Sequence, residues 1–347
     1  MDSEISFLPL GAIIQSLTIN NVNIVQGFPT QELYESHNKP FFGETIGRVA
    51  NRISNAKLAS VNGGNTYSLT ANDGSNTLHG GAKGWGKRIW DGPKPSGVRK
   101  IAGVQYDEGG ESVQFTLRSE DGDEGFPGEV LAKVTYTAAK TTEGEGDAQK
   151  KKITLLGIEY EAELVSGAEE TVINMTNHSY FNLTGGPSIE GTEVQLCTPS
   201  YLPVNDGGIP TGGPTTYANV ATNEKFTLGP QEPDIDDCFV VDPSAAPNSV
   251  PIDTRGRPLT ALVEAYHPET KIHLEVHSTE PAFQFYTGKY IDVPAVDGAP
   301  ARGKRSGFCV EPSRFVNACN VDDWKNQVLL KKGEKYGCRI LYKAWQD

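Results

Sequence analysis

Apolar and polar residues alternate with a period of two along much of this chain, the pattern of strands with one buried face. Val130, Ala132, Val134 and Tyr136 alternate with Leu131, Lys133 and Thr135. Leu156, Ile158, Tyr160, Ala162 and Leu164 alternate with Gly157, Glu159, Glu161 and Glu163. Residues 57–69 predict a hairpin turning at Asn62-Gly63-Gly64-Asn65. Residues 261–266 and 271–276 predict another, turning at His267-Pro268-Glu269-Thr270, with His273 and His277 facing solvent. Gly11–Leu17 predicts a strand within a set of short strands over residues 1–30. The polar stretch 141–152 reads as an exposed hairpin tip. No long amphipathic helix, internal repeat or break in composition is found. The expectation is one all-β unit over residues 1–347: a large antiparallel β-sandwich with few short helices.

Polar residues interrupt the apolar faces of three strand-like segments. In Val172–Tyr180, Asn174, Thr176, His178 and Tyr180 share one face, and Ile173 and Met175 take the other. In Ala282–Tyr286, Gln284 opposes Phe283 and Phe285. In Gly307–Pro312, Glu311 opposes Phe308 and Val310, and Pro312 is expected to end the pairing. A histidine with a near-neutral pKa and a carboxylate are suited to proton transfer. Alone, His178 reads equally well as a hydrogen-bonded histidine of a sheet.

Two further motifs add donors. Leu78-His79-Gly80-Gly81 places a histidine at a turn whose glycines let the backbone approach a ligand closely. Gly47-Arg48-Val49-Ala50-Asn51-Arg52-Ile53 carries two arginines. Taken alone, each reads as a surface salt-bridge partner, but Arg52 beside Asn51 also offers several donors to hydroxyl groups.

Composition narrows the field. With 44 acidic and 31 basic residues, the net charge is −13 and no cationic stripe is present. That excludes a nucleic-acid or anionic-membrane surface. Cys197, Cys238, Cys309, Cys319 and Cys338 lack metal or disulfide spacing, and five cannot all pair. No signal peptide or membrane-spanning run is read. The sequons at Asn174, Asn177 and Asn182 lie in a segment expected to be partly buried. A cytoplasmic protein is expected. Asp234–Asp237 and Asp121–Glu124 lack the remaining ligands of a calcium loop, so no metal is expected. Gly81–Arg88 approaches a phosphate loop, but Arg88 stands where a Ser or Thr must bind magnesium.

In order along the chain, G-R-V-A-N-R-I, L-H-G-G, N-H-S-Y-F-N-L-T-G, D-D-C-F, F-Q-F-Y-T-G and F-C-V-E-P-S resemble the aldose 1-epimerase (galactose mutarotase) family. The resemblance runs from about residue 10 to the end and looks like fungal members. It implies an antiparallel β-sandwich with a sugar cleft, and interconversion of the anomers of free aldoses without metal or organic cofactor. It implies His178 as general acid and Glu311 as general base. Asn51, Arg52, His79, Tyr180, Asp236 and Gln284 would hold the sugar. A monomer or weak homodimer is expected. Two departures stand out: Asp237, where many relatives carry His, and the P-S-R-F-V-N tail after Glu311. Three other functions compete. They are a hexose-6-phosphate 1-epimerase, a glycoside hydrolase using Asp236 and Glu311, and a non-catalytic carbohydrate-binding module.

Overall fold

The computed structural model describes residues 4–144, 150–218 and 220–347. Alternation becomes architecture in two antiparallel sheets. One has nine strands, in the order 225–227, 193–196, 260–267, 272–278, 335–346, 151–166, 129–143, 108–119 and 91–98. The other has six, in the order 180–181, 308–313, 282–286, 236–240, 200–202 and 215–216. The only α-helix among the described residues is Gln31–His37. No helix there is long and apolar enough to cross a membrane.

The long hairpin Glu129–Glu143 with Lys151–Ser166 carries the predicted faces. Val130 pairs with Leu164 and Tyr136 with Ile158, and these residues belong to the main core. On the other face, Glu161 meets Lys133, Lys335 and Arg255. The strands extend into the stretch read as a hairpin tip; residues 145–149 of that tip lie outside the described residues. The hairpins Lys57–Val61 with Asn65–Ser68, and Thr260–His267 with Ile272–Ser278, form as expected. Gly11–Leu17 is displaced into the strand Ile13–Ile19.

The core explains which face of the six-stranded sheet turns away from the larger sheet. Phe239, Phe283, Phe285, Phe308 and Val310 pack in one cluster with Val276, Ile340 and Tyr342 of the larger sheet. Alternation then sends Asp236, Gln284, Cys309 and Glu311 to the opposite face. Burying apolar side chains between the sheets thus also turns the polar set to the face away from the larger sheet.

Three expectations need correction. Val172–Tyr180 is not one strand. Its pieces pair in turn with Leu329–Lys331, Val49, Thr45–Ile46 and Phe308–Cys309. Hydrogen bonds from the Asn177 side chain to the Gly43 carbonyl, and from the His178 amide to the Glu44 carbonyl, bridge the gaps. Second, Pro312 does not end pairing: it sits opposite Phe283, and the strand continues to Ser313. Beyond Cys309 this strand has ladder partners on one side, so a residue without an N–H is tolerated. Third, His273 and His277 are half-buried rather than freely solvated. His273 stacks on Trp345 and pairs with Asp347, and His277 pairs with Glu275.

Candidate active site

Sheet register sets the first part of the site. Tyr180 lies opposite Cys309, Cys309 opposite Tyr286, and Tyr286 opposite Asp236, forming one row across four strands. Two residues along, Glu311 lies opposite Gln284. The Gln284 amide donates to Asp236 Oδ1 at 2.8 Å and accepts from Asn51 Nδ2 at 3.1 Å. A neutral amide thus ties a carboxylate to a loop residue.

A short ladder supplies the second part. Arg52–Ile53 pairs with Thr77–Leu78, which brings the G-R-V-A-N-R-I and L-H-G-G motifs together. The Asn51 amide donates to His79 Nδ1 at 3.3 Å, so the single proton of a neutral His79 sits on Nε2. Asn51 and His79 both hold left-handed backbone, at φ 57° and 50°. Such strain in residues other than glycine gathers where a site constrains the chain. Gly80 allows the turn: at φ +84°, a Cβ there would lie 2.0 Å from the Gly47 carbonyl oxygen.

All eight residues singled out from the sequence line one cavity of about 340 Å³, together with Phe41, Tyr286 and Tyr290. Asn174 and Thr176 do not line it; the Asn174 side chain instead accepts the Arg314 amide. A larger cavity of about 690 Å³ adjoins, sharing Asn51, Arg52, Asp236, Gln284 and Tyr290. Another, of about 450 Å³ beside Glu4, Lys151 and Asp347, shares no residue with the site and has no histidine in its lining. Chemistry rather than size therefore selects the site.

His178 Nε2 lies 3.5 Å from Glu311 Oε1. The imidazole stacks against Tyr180 and Phe41 and meets His79 edge to face. Burial disfavours charge on both members of the pair. It lowers the His178 pKa, with the nearby Lys87 ammonium adding to the shift. It raises that of Glu311 well above the usual carboxylate range; the Asp236 charge adds to this and Arg52 opposes it. His79 is likewise held neutral, mainly by burial and then by His178, Arg52 and Lys87. Ordinary pKa values would pair an ionised Glu311 with a partly protonated His178, whereas burial favours the neutral form of each. With both groups neutral, the exchangeable proton of the pair lies on the Glu311 carboxyl.

The two arginines part company. Arg48 is buried against Ser119, Glu120 and Pro127, so it is an internal strut rather than a surface salt-bridge partner. Arg52 pairs with Asp73 at 2.7 Å while lining both cavities. Asp236 is solvent-accessible within the cleft, yet crowding by protein raises its pKa, offset by the Gln284 amide and by Arg52. Asp237 lines neither cavity and pairs with Tyr217, so that departure leaves the lining unchanged.

His79, His178 and Glu311 also offer metal-ligand atoms within 4.8 Å of one another. Two ligands on one zinc ion at about 2.1 Å each stand no more than about 4.2 Å apart. The trio as arranged is too open and would have to contract around an ion. Asp123 and Asp234, from the rejected calcium readings, are engaged by Arg88 and Lys289.

The model of the family described as aldose 1-epimerase matches residues 2–343. The chain belongs to the aldose 1-epimerase family. Within reach of that family, it is 39% identical to the "Bifunctional protein GAL10" of Pachysolen tannophilus, over 98% of this chain and 45% of that protein. It is 34% identical to the galactose mutarotase of Homo sapiens, over 92% of this chain and 83% of that protein. The chain spans about half the length of the first fungal relatives it matches. Its fold superposes on a solved aldose epimerase homologue from C. elegans with a TM-score of 0.77, at 24% identity, covering 99% of this chain and 95% of that one.

Sequence reasoning missed Phe41, Lys87, Cys309, Tyr286 and Tyr290. Cys309 was legible, being two residues from Glu311 on one strand face. Lys87 lies on the short helix Trp85–Lys87, within the stretch that approaches a phosphate loop, and Phe41 shortly precedes the G-R-V-A-N-R-I motif, yet no local pattern marks either as lining the site.

Proposed function

We propose that this chain interconverts the α and β anomers of free aldoses such as galactose and glucose. The observation that carries this reading is the His178–Glu311 pair, 3.5 Å apart in a cavity walled by neutral and charged hydrogen-bonding groups. Mutarotation needs one base at the anomeric hydroxyl and one acid at the ring oxygen. A neutral imidazole beside a protonated carboxyl shares one exchangeable proton, which suits the pair to supply both. In the proposed cycle the proton passes from Glu311 to His178 as sugar binds, because sugar hydroxyls and Arg52 favour the carboxylate. Glu311 then takes the anomeric proton while His178 delivers its own to the ring oxygen. The C1–O5 bond breaks to give the aldehyde, and rotation about C1–C2 exposes the other carbonyl face. Reclosure returns both protons.

Each positioned acid or base typically contributes roughly 10²–10⁴-fold. Asn51, Arg52, His79, Tyr180, Asp236 and Gln284 are proposed to orient the ring, with His79 Nε2–H and Arg52 offsetting charge that develops on oxygen. The core cluster draws on residues from Ile5 to Ala344, which supports a single working unit. Polarimetry of freshly dissolved α-D-galactose, α-D-glucose and α-D-glucose 6-phosphate tests the reading. The free hexoses should equilibrate faster with protein than without. Acceleration confined to the phosphate would transfer the assignment to a hexose-6-phosphate epimerase. No acceleration of any sugar would refute catalysis.

A further inference from the structure

Cys309 is fully buried, unpaired and unused by the chemistry above. It shares a strand face with Glu311, and its sulfur lies 3.6 Å from His178 Nδ1. The two ring nitrogens of His178 therefore have different neighbours: Nδ1 meets sulfur, and Nε2 meets the Glu311 carboxyl. The proton on one imidazole nitrogen is governed by what the other bonds. We propose that Cys309 is a positioning residue: its sulfur accepts the His178 Nδ1–H, so the exchangeable proton enters and leaves the ring at Nε2.

Three observations favour this direction. The Tyr180 hydroxyl interacts with the same sulfur, and ladder pairing at Cys309 holds the strand between Tyr180 and Tyr286. The carbonyl of His178, which only Nδ1 can reach within its own residue, also favours a proton on that side. That carbonyl also accepts the Gly43 amide, and sulfur is the side-chain partner of Nδ1 at bonding distance. Sulfur is a weak acceptor, so it orients the ring without raising its basicity as a carboxylate would. This agrees with a histidine whose neutral form is favoured by burial.

The inference rests on the proposed reaction for its purpose, but its central test does not need turnover. Nitrogen NMR of histidine-labelled protein reports which ring nitrogen carries the proton, and the spectrum of His178→Asn identifies the residue among the six histidines. Wild type should show protonated Nδ1 and bare Nε2. Cys309→Ala, and Cys309→Val as a larger apolar replacement, should shift His178 toward the Nε2–H form. Both should lower kcat about 10-fold while KM stays within about twofold. Cys309→Ser, which keeps an acceptor, should retain the wild-type tautomer and more of the rate. An Nε2–H ring in wild type, or an unchanged tautomer in both apolar variants, would overturn the proposal even if their rates fell. If wild type accelerated no sugar, the proposed function would fail while the tautomer still decided this inference.

Discussion

For single residues, burial reverses the charge states that ordinary pKa values suggest. The unfolded Glu311 ionises near ~4.3, whereas the folded carboxyl keeps its proton to higher pH. Above the unfolded value, the folded state therefore binds more protons, and stability falls as pH rises through the folded pKa. His178 acts in the opposite sense: its lowered folded pKa costs stability as pH falls below ~6.5. Glu311→Gln removes only the first penalty. Its melting temperature should exceed that of wild type by an amount that grows from pH 4 to pH 7, as scanning calorimetry would record. A gain that shrank over this interval would contradict the burial of an uncompensated carboxyl. The identity of this acid was legible because Glu311 breaks an apolar alternation. Its protonation was not, because burial depends on partners such as Phe41 and Tyr286 that lie elsewhere in the chain.

Among the structural elements, the period-two pattern was informative wherever a strand lies in one ladder. The hairpin of Glu129–Glu143 and Lys151–Ser166 follows it residue by residue. It failed over Val172–Tyr180, where the chain changes partner every few residues and all nine positions are buried. There the alternation linked Asn174 and Thr176 with His178, but only His178 and Tyr180 reach the cavity. Turn chemistry was more reliable. Gly80 was expected to let the backbone approach a ligand, whereas the close neighbour it admits is the Gly47 carbonyl, which a side chain there would strike. Gly80→Ala should cost about 1–3 kcal/mol and raise KM by displacing His79. Urea denaturation and polarimetry would check the two effects, and a variant with wild-type stability and KM would show that this turn is not constrained.

Across the whole molecule, the two sheets meet through polar as well as apolar contacts. Arg314 and Glu280 form an ion pair at 2.8 Å with no exposure of either side chain. Arg314 also donates to the carbonyls of Pro251, Ile252 and Gly337, fastening the strand of Glu311 to the larger sheet. The tail after Glu311, noted in the sequence as a departure from relatives, thus contains a structural strut. Its role was hidden because its partners are distant in sequence. Arg314→Met should destabilise the fold by about 3–5 kcal/mol, since it leaves Glu280 buried without its partner. Equilibrium urea unfolding would measure this, and a loss below about 1 kcal/mol would contradict it. The sandwich was legible from strand spacing, whereas the assembly of six separated segments into one cavity was legible only through the order of the motifs. The most direct measurement is the mutarotation rate of freshly dissolved α-D-galactose with wild type, His178→Asn and Glu311→Gln, each confirmed folded. Wild type should accelerate equilibration, and each variant should lose roughly 10²-fold or more of that acceleration; wild-type rates in either variant would contradict an acid–base pair at this site.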